Sequence, residues 1–319
     1  MNPQRILFMG TPHFAVASLD ALVSAGFDVA AVVTAPDKPA GRGRHLRASA
    51  VKERALELGL PVLQPEKLRD PQFISELDRL GASLYVVVAF RMLPEMVWAK
   101  PPLGTVNLHA SLLPDYRGAA PINWAIINGE RSTGVTTFFI QQQVDTGDLI
   151  AQASVEISSD MTAGELHDRL MVVGADLLTR TVGDVLTGSA CRMPQVLPSD
   201  TELKIAPKLD PENCRIDWRR TSSNIHDHIR GLAPFPGAHA MLAPAGRDPM
   251  HFKVLRTRDL GTDGPIGEPG MVTITKEGMT VRCGSGMVEL LEVQPEGKRR
   301  MTAAEFINGS RALGPFRFV

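Results

Sequence analysis

The sequence predicts an α/β fold in which a Rossmann-like, mostly parallel sheet is followed by a small C-terminal OB-like β-barrel. Three observations carry that expectation. Over the first half of the chain, short apolar runs alternate with helically spaced segments, the pattern of strand–helix–strand units. A stretch at 189–207 then loses periodicity and gathers Pro194, Pro198 and Pro207. Beyond it, short β-rich runs are separated by glycine turns, as in small barrels. The expected division is a first domain at 1–188, a linker at 189–207 and a barrel domain at 208–319. A chain of 319 residues suits about two domains of ~150 residues each.

Taken in order, 5–9 (RILFM) reads as a buried strand, and Gly10 permits a tight turn into a helix over 14–25 capped by Gly26. Residues 29–34 (VAAVVT) form a second buried strand. Residues 35–48 (APDKPAGRGRHLRA) read as a loop, flexible at Gly41 and Gly43 and basic at Lys38, Arg42, Arg44 and Arg47. Helices are expected at 49–58 and 71–80, with a short strand at 61–63 between them. Residues 84–90 (LYVVVAF) give the strongest buried-strand signal, and 105–109 (TVNLH) a short strand with a polar end. A helix at 119–128 leads to strands at 133–141 and 149–157 around the turn DTGD at 145–148. The long helix at 161–187 carries the stripe Leu166, Leu170, Val173, Leu177 and Val185. In the last third, a helix at 222–231 and strands at 252–256, 271–275, 279–283 and 287–293 are expected.

Composition excludes several classes. Hydrophobic residues make up 44% and charged residues 22%, enough for an ordinary core. The net charge of −1 gives no global attraction to nucleic acid, so such a partner requires a local basic patch. Cys191, Cys214 and Cys283 are odd in number and lack CxxC spacing, which argues against a disulfide framework or structural zinc and for a reducing compartment. His226, His228, His239 and His251 do not fall at metal-ligand spacings either. No apolar run approaches the ~18 residues of a membrane span, and the N-terminus has no signal-peptide pattern, so the expectation is a cytoplasmic protein. Gly10-Thr11-Pro12 lacks the GxGxxG spacing of a dinucleotide site.

The chemistry concentrates in 107–118 (NLHASLLPDYRG). Asn107 and His109 are two apart, so on a strand they share a face. At the C-terminal end of a strand in an open α/β sheet, that face opens on the usual ligand crevice. The asparagine can donate a hydrogen bond, and the histidine can serve as acid or base near neutral pH. Asp145 can orient the imidazole and favour its charged form. A lone N-x-H is more often a polar strand end with a satisfied histidine than a catalytic pair, and it is the surrounding residues that reverse this.

The run HxSLLPxYRGAAP, followed by TGVT and DTGD, resembles the folate-dependent formyltransferases. Supporting pieces are GTPxFA at 10–15, PDKPAGRGR at 36–44, IDW at 216–218 and IRGLAPFPGA at 229–238, so the resemblance spans most of the chain. It implies formyl transfer from 10-formyltetrahydrofolate, a co-substrate, to an amine, with no metal required. Asn107, His109 and Asp145 match the family's catalytic trio, with His109 and Asn107 stabilising the oxyanion and Asp145 holding His109. Ser111, Leu112, Leu113 and Pro114 resemble its tetrahydrofolate-binding stretch, and Phe90, Arg91, Met92 and Leu93 its pterin-pocket loop. Lys38, Arg42 and Arg44 fall in the loop that the resemblance assigns to tRNA, with methionyl-initiator-tRNA as acceptor and a monomer as the working unit. Gln141, Gln142 and Gln143 depart from relatives that have glycine two positions before the aspartate. Two other readings stay open on the residues alone. The acceptor could be a sugar-nucleotide amine or water, against which the loop at 39–44 argues; or the chain could be a non-catalytic RNA-binding protein, against which the intact trio argues.

Overall fold

The computed structural model describes residues 4–40, 45–196, 203–246, 248–262, 267–275, 278–310 and 315–319. They fall into two compact units. One comprises Met1–Gly118, Thr133–Val155 and His167–Lys204; the other Ala119–Ser132, Glu156–Leu166 and Ile205–Val319.

The first unit opens with β1 (Ile6–Gly10), α1 (Phe14–Ser24) and β2 (Val29–Val33), the expected strand–helix–strand unit. Gly10 is required by space, not by backbone angle. A Cβ there would lie 2.7 Å from the Ala15 Cβ and 3.1 Å from the Val88 carbonyl oxygen. The segment expected to be a loop at 35–48 instead contains a two-stranded ribbon, β3 (Lys38–Ala40) against β4 (His45–Arg47). Its polar and glycine content hid the pairing because a two-stranded ribbon buries no apolar face that would impose alternation. Residues 41–44, with Arg42 and Arg44, lie outside the described residues.

Next come α2 (Ala50–Glu57), β5 (Val62–Leu63), α3 (Pro71–Leu80), β6 (Leu84–Val88), the short α4 (Glu95–Trp98) and β7 (Thr105–His109). The ends of α3 follow from sequence. Asp70 caps the Gln72 amide at 2.9 Å, Pro71 opens the first turn, and Gly81 adopts the left-handed conformation at the C-terminus. After β8 (Arg117–Gly118) and α5 (Pro121–Ile127), β9 (Ser132–Phe139) and β10 (Leu149–Glu156) complete the sheet, in the order β10-β9-β7-β6-β1-β2-β5. Pairings from β5 through β7 are parallel, whereas β7 meets β9 antiparallel. The central strands β1, β2 and β6 are buried on every residue, which explains their unbroken apolar runs.

The long α6 (Ala163–Thr187) begins with a capping box. The Thr162 hydroxyl accepts from the Glu165 amide at 3.2 Å while Glu165 accepts from the Thr162 amide at 2.8 Å. Within the first unit α6 approaches β7 closely at Gly174, where a Cβ would lie 2.9 Å from the Leu108 side chain. The helix thus backs the strand that carries Asn107 and His109.

The second unit contains β11 (Ile205–Ala206), α7 (Ser222–Leu232), β12 (Ala238–Pro244), β13 (Met250–Asp259), β14 (Val272–Ile274), β15 (Met279–Arg282), β16 (Met287–Pro295), β17 (Met301–Thr302), α8 (Ala303–Ser310) and β18 (Phe316–Phe318). Its antiparallel sheet runs β14-β15-β16-β13-β12-β18, with β17 also on β16. The sheet curls until its ends meet. Met271 bridges Arg317, and the Phe318 amide donates to the Gly270 carbonyl at 2.8 Å. Gly270 sits at φ +85°, where a Cβ would lie 2.4 Å from the Phe318 carbonyl oxygen, so only glycine closes this nearly complete barrel. The core holds Trp218, Phe252, Phe306 and Phe318, with Trp218 stacked on Phe318 at 4.8 Å. Helix α8, which the sequence reading did not anticipate, packs Phe306 edge-on against Phe252 at 5.0 Å.

Candidate active site

Strand β7 places Asn107 and His109 on one face, opposite Phe138 and Thr136 of β9. His109 is 7% exposed. Its Nε2 contacts the Tyr116 carbonyl oxygen at 2.9 Å. A carbonyl only accepts, so this nitrogen carries the hydrogen. The other ring nitrogen, Nδ1, lies 3.9 Å from Asp145 Oδ2. The imidazole is therefore flanked by the Tyr116 carbonyl, within hydrogen-bond distance, and by the Asp145 carboxylate, which lies beyond it.

Asp145 sits at φ +55°, a left-handed conformation that aspartate tolerates better than most residues. Its Oδ2 accepts from the Gly118 amide at 3.0 Å. Its carbonyl oxygen accepts from Gln195 Nε2 at 2.9 Å, as does that of Gly147 at 2.9 Å. A Cβ at Gly147 would fall 1.7 Å from the Phe139 carbonyl oxygen, so the glycine of DTGD has no alternative. Gln141, Gln142 and Gln143, the departure from the family pattern, are exposed ahead of this turn.

The stretch from Ser111 to Pro114 is held from below. Ser111 is fully buried and its hydroxyl donates to the Asp115 carbonyl at 2.7 Å. Thr136 Oγ1 donates to the Ser111 carbonyl at 2.6 Å and accepts from the Leu113 amide at 3.1 Å and Gln152 Nε2 at 3.0 Å. Gln152 also donates to the Leu113 carbonyl at 2.9 Å. Leu113 is buried, whereas Leu112 and Pro114 are half-buried. In the other candidate loop, Phe90 and Leu93 pack partly against the core of the sheet, and Met92 is 78% exposed. Arg91 is spent on structure. It donates to the Glu66 carbonyl at 2.9 Å and to that of Pro65, and burial pulls its guanidinium pKa down. Lys38 is exposed on β3, opposite Arg47.

Several positioning groups escaped the sequence reading: Thr136, Gln152, Gln195 and the backbone of 116–118. The motif letters YRG were visible, but their contribution is made through a carbonyl of Tyr116 and an amide of Gly118, which side-chain patterns do not reveal. Among the described residues, no group of three or more His, Cys, Asp or Glu side chains is placed to hold a metal ion. None of their helices is long and apolar enough to cross a membrane.

The model of the formyl transferase family matches residues 4–182, and that of the formyl transferase C-terminal domain matches 208–311. A methionyl-tRNA formyltransferase of Azobacteroides pseudotrichonymphae is 47% identical over 98% of each chain. One from Flavobacterium johnsoniae is 46% identical over 97% of each. Among solved structures, the sugar 3N-formyl transferase WlaRD, crystallised with dTDP and 5-N-formyl-THF, has a TM-score of 0.65 at 18% identity, over 94% of this chain and 100% of its own. HypX from Aquifex aeolicus, in complex with tetrahydrofolic acid, has a TM-score of 0.62 at 18% identity, over 96% of this chain and 47% of its own.

Proposed function

The chain belongs to the formyl transferase family, and from that premise we propose that Asn107, His109 and Asp145 carry out the family's reaction here. The protein transfers the formyl group of 10-formyltetrahydrofolate to the free amino group of methionyl-initiator-tRNA, giving N-formylmethionyl-tRNA. The folate is a co-substrate, consumed and released at each turnover.

The observation that carries the assignment is the buried His109 imidazole, set between the Tyr116 carbonyl and the Asp145 carboxylate. When the amine adds to the formyl carbon, negative charge gathers on the formyl oxygen. The Asn107 amide and, on the same strand face, the His109 Nδ1–H, which stands 3.9 Å from Asp145 and makes no hydrogen bond to it, supply donors for that charge, while Nε2 stays on the Tyr116 carbonyl. Asp145 lies beside the ring and orients it. Asp145 also takes the proton that the attacking nitrogen must lose, and that proton passes to N10 as the oxyanion collapses to the new formamide carbonyl and the carbon–N10 bond breaks, so that tetrahydrofolate leaves neutral at N10. The loops at 90–93 and 111–114 bind the folate, the first through backbone groups and apolar side chains, the second as a shelf braced by Thr136. Lys38, Arg42 and Arg44 contact the tRNA. The domains are 1–188, a linker at 189–207 and 208–319, a reading supported by the family matches at 4–182 and 208–311. The protein works as a cytoplasmic monomer, a reading supported by three free cysteines and by the lack of a heptad pattern.

The test is turnover by site variants. His109→Ala and Asn107→Ala are expected to lower kcat by ~10²–10³ while binding of tetrahydrofolate, followed by fluorescence quenching, stays near that of the unaltered protein. Variants that fold and turn over normally would remove these residues from the chemistry.

A further inference from the structure

Gln195 has no part in the motifs above, yet it touches the turn that carries Asp145 at two points. Its place is set by a small antiparallel contact. Leu149 and Met193 exchange both backbone hydrogen bonds, at 2.8 and 2.9 Å. Continuing that register brings Gln195 opposite Gly147, just ahead of β10. The side-chain amide then has both donors and its oxygen engaged. Both Nε2 hydrogens go to carbonyls, those of Asp145 and Gly147 at 2.9 Å each. The Oε1 accepts from Arg117 Nη2. This arrangement fixes which end of the amide is oxygen, because carbonyls accept only and a guanidinium donates only.

The three residues 116–118 thereby act as one bracket. The Tyr116 carbonyl meets His109, the Gly118 amide meets the Asp145 carboxylate, and the Arg117 side chain between them holds Gln195, which holds the Asp145 main chain. Tyr116 and Asp145 both sit in left-handed backbone conformations, at φ +59° and +55°. Such conformations persist only where neighbours over-determine them.

We infer that Gln195 and Arg117 form a clamp that positions Asp145 against His109, making Gln195 a positioning residue for formyl transfer. This rests on the reading of Asp145 as part of the catalytic trio. The clamp acts through donors, not bulk, and that gives it a discriminating test. Gln195→Glu keeps the size and can keep the contact with Arg117, but it points a carboxylate oxygen at two carbonyls. A space-filling role tolerates that change, whereas a clamp does not.

The experiment compares the unaltered protein, Gln195→Glu, Gln195→Ala and Arg117→Ala in steady-state formyl transfer, with thermal melts to confirm folding. Misplacing a catalytic group by a fraction of a bond length to ~1 Å can cost up to ~10²-fold. The expected result is therefore a ~10–100-fold loss of kcat in Gln195→Glu and Gln195→Ala, with KM for both substrates within about twofold and Tm little changed. Normal kcat in Gln195→Glu overturns the clamp. Hydrogen exchange of the 143–148 backbone is read on the same samples without substrate. Faster exchange in Gln195→Glu is expected, and unchanged exchange overturns the clamp even if the unaltered protein transfers nothing, an outcome that would instead sink the proposed reaction.

Discussion

His109 and Asp145, proposed here as catalytic, stand out in the sequence through the motifs around them, because a motif records side chains. The residues that set them do not, because Tyr116 and Gly118 act through backbone atoms and Gln195 lies fifty residues from the turn it holds. Histidines outside the site have other consequences. His228 is buried in the barrel unit, and burial pushes its pKa down to about 4, against a weaker opposing hydrogen bond with the Cys214 backbone. The unfolded chain takes up a proton near pH 6.5 and the folded one does so only near pH 4, so the neutral form's contribution is complete above 6.5 and lost as pH falls through that window. About 3 kcal/mol is at stake. His251 shifts in the same direction, first by burial, and adds to the slope. Thermal melts from pH 7 to 4 should show Tm falling, less steeply in His228→Asn; an equal slope in both would show that His228 does not contribute. The buried thiols are chemically quiet by the same cause, with Cys283 pushed up to about 12 and Cys214 raised.

At the scale of elements, legibility followed burial. Strands β1, β2 and β6, buried on every residue, were read to within a residue or two. The β3–β4 ribbon reads as loop in the sequence because Lys38, Pro39, Leu46 and Arg47 are all exposed and impose no apolar alternation. Helix α8 was missed although its start is spelled out. Thr302 and Glu305 form the same reciprocal cap as Thr162 and Glu165, at 2.8 and 3.2 Å, and both follow the letters MTA. The shelf at 111–114 is an element-scale device in which one hydroxyl, Thr136 Oγ1, serves two backbone groups and Gln152. Thr136→Val keeps the shape and β-propensity but strands those partners, at a cost of about 1–3 kcal/mol. The expected outcome is a lower Tm together with a several-fold rise in KM for the folate and an unchanged KM for tRNA. Equal KM values with the lowered Tm would separate the shelf from folate binding.

At the scale of the whole chain, the division into an α/β part and a barrel was visible as a change of rhythm, but the sequence could not show that 119–132 and 156–166 group with the barrel unit, since that follows from packing across long separations. The barrel unit's arginines are mostly committed at home. Arg230 pairs with Asp227, Arg256 with Glu165, Arg258 with Glu289, Arg299 with Glu305, Arg300 with Glu292 and Arg317 with Glu268. Arg299 and Arg300 of the 298–300 cluster are therefore weaker anchors for phosphate than their letters suggest. With a net charge of −1, recognition of a large RNA rests on local contacts and should weaken as salt rises. The most direct measurement is formyl transfer by the purified protein, given 10-formyltetrahydrofolate labelled in the formyl carbon and methionine-charged initiator tRNA, with methionine-charged elongator tRNA alongside. Rapid labelling of the initiator species with little or none on the elongator is the predicted result. Labelling of neither, by a protein that still binds tetrahydrofolate, would contradict it.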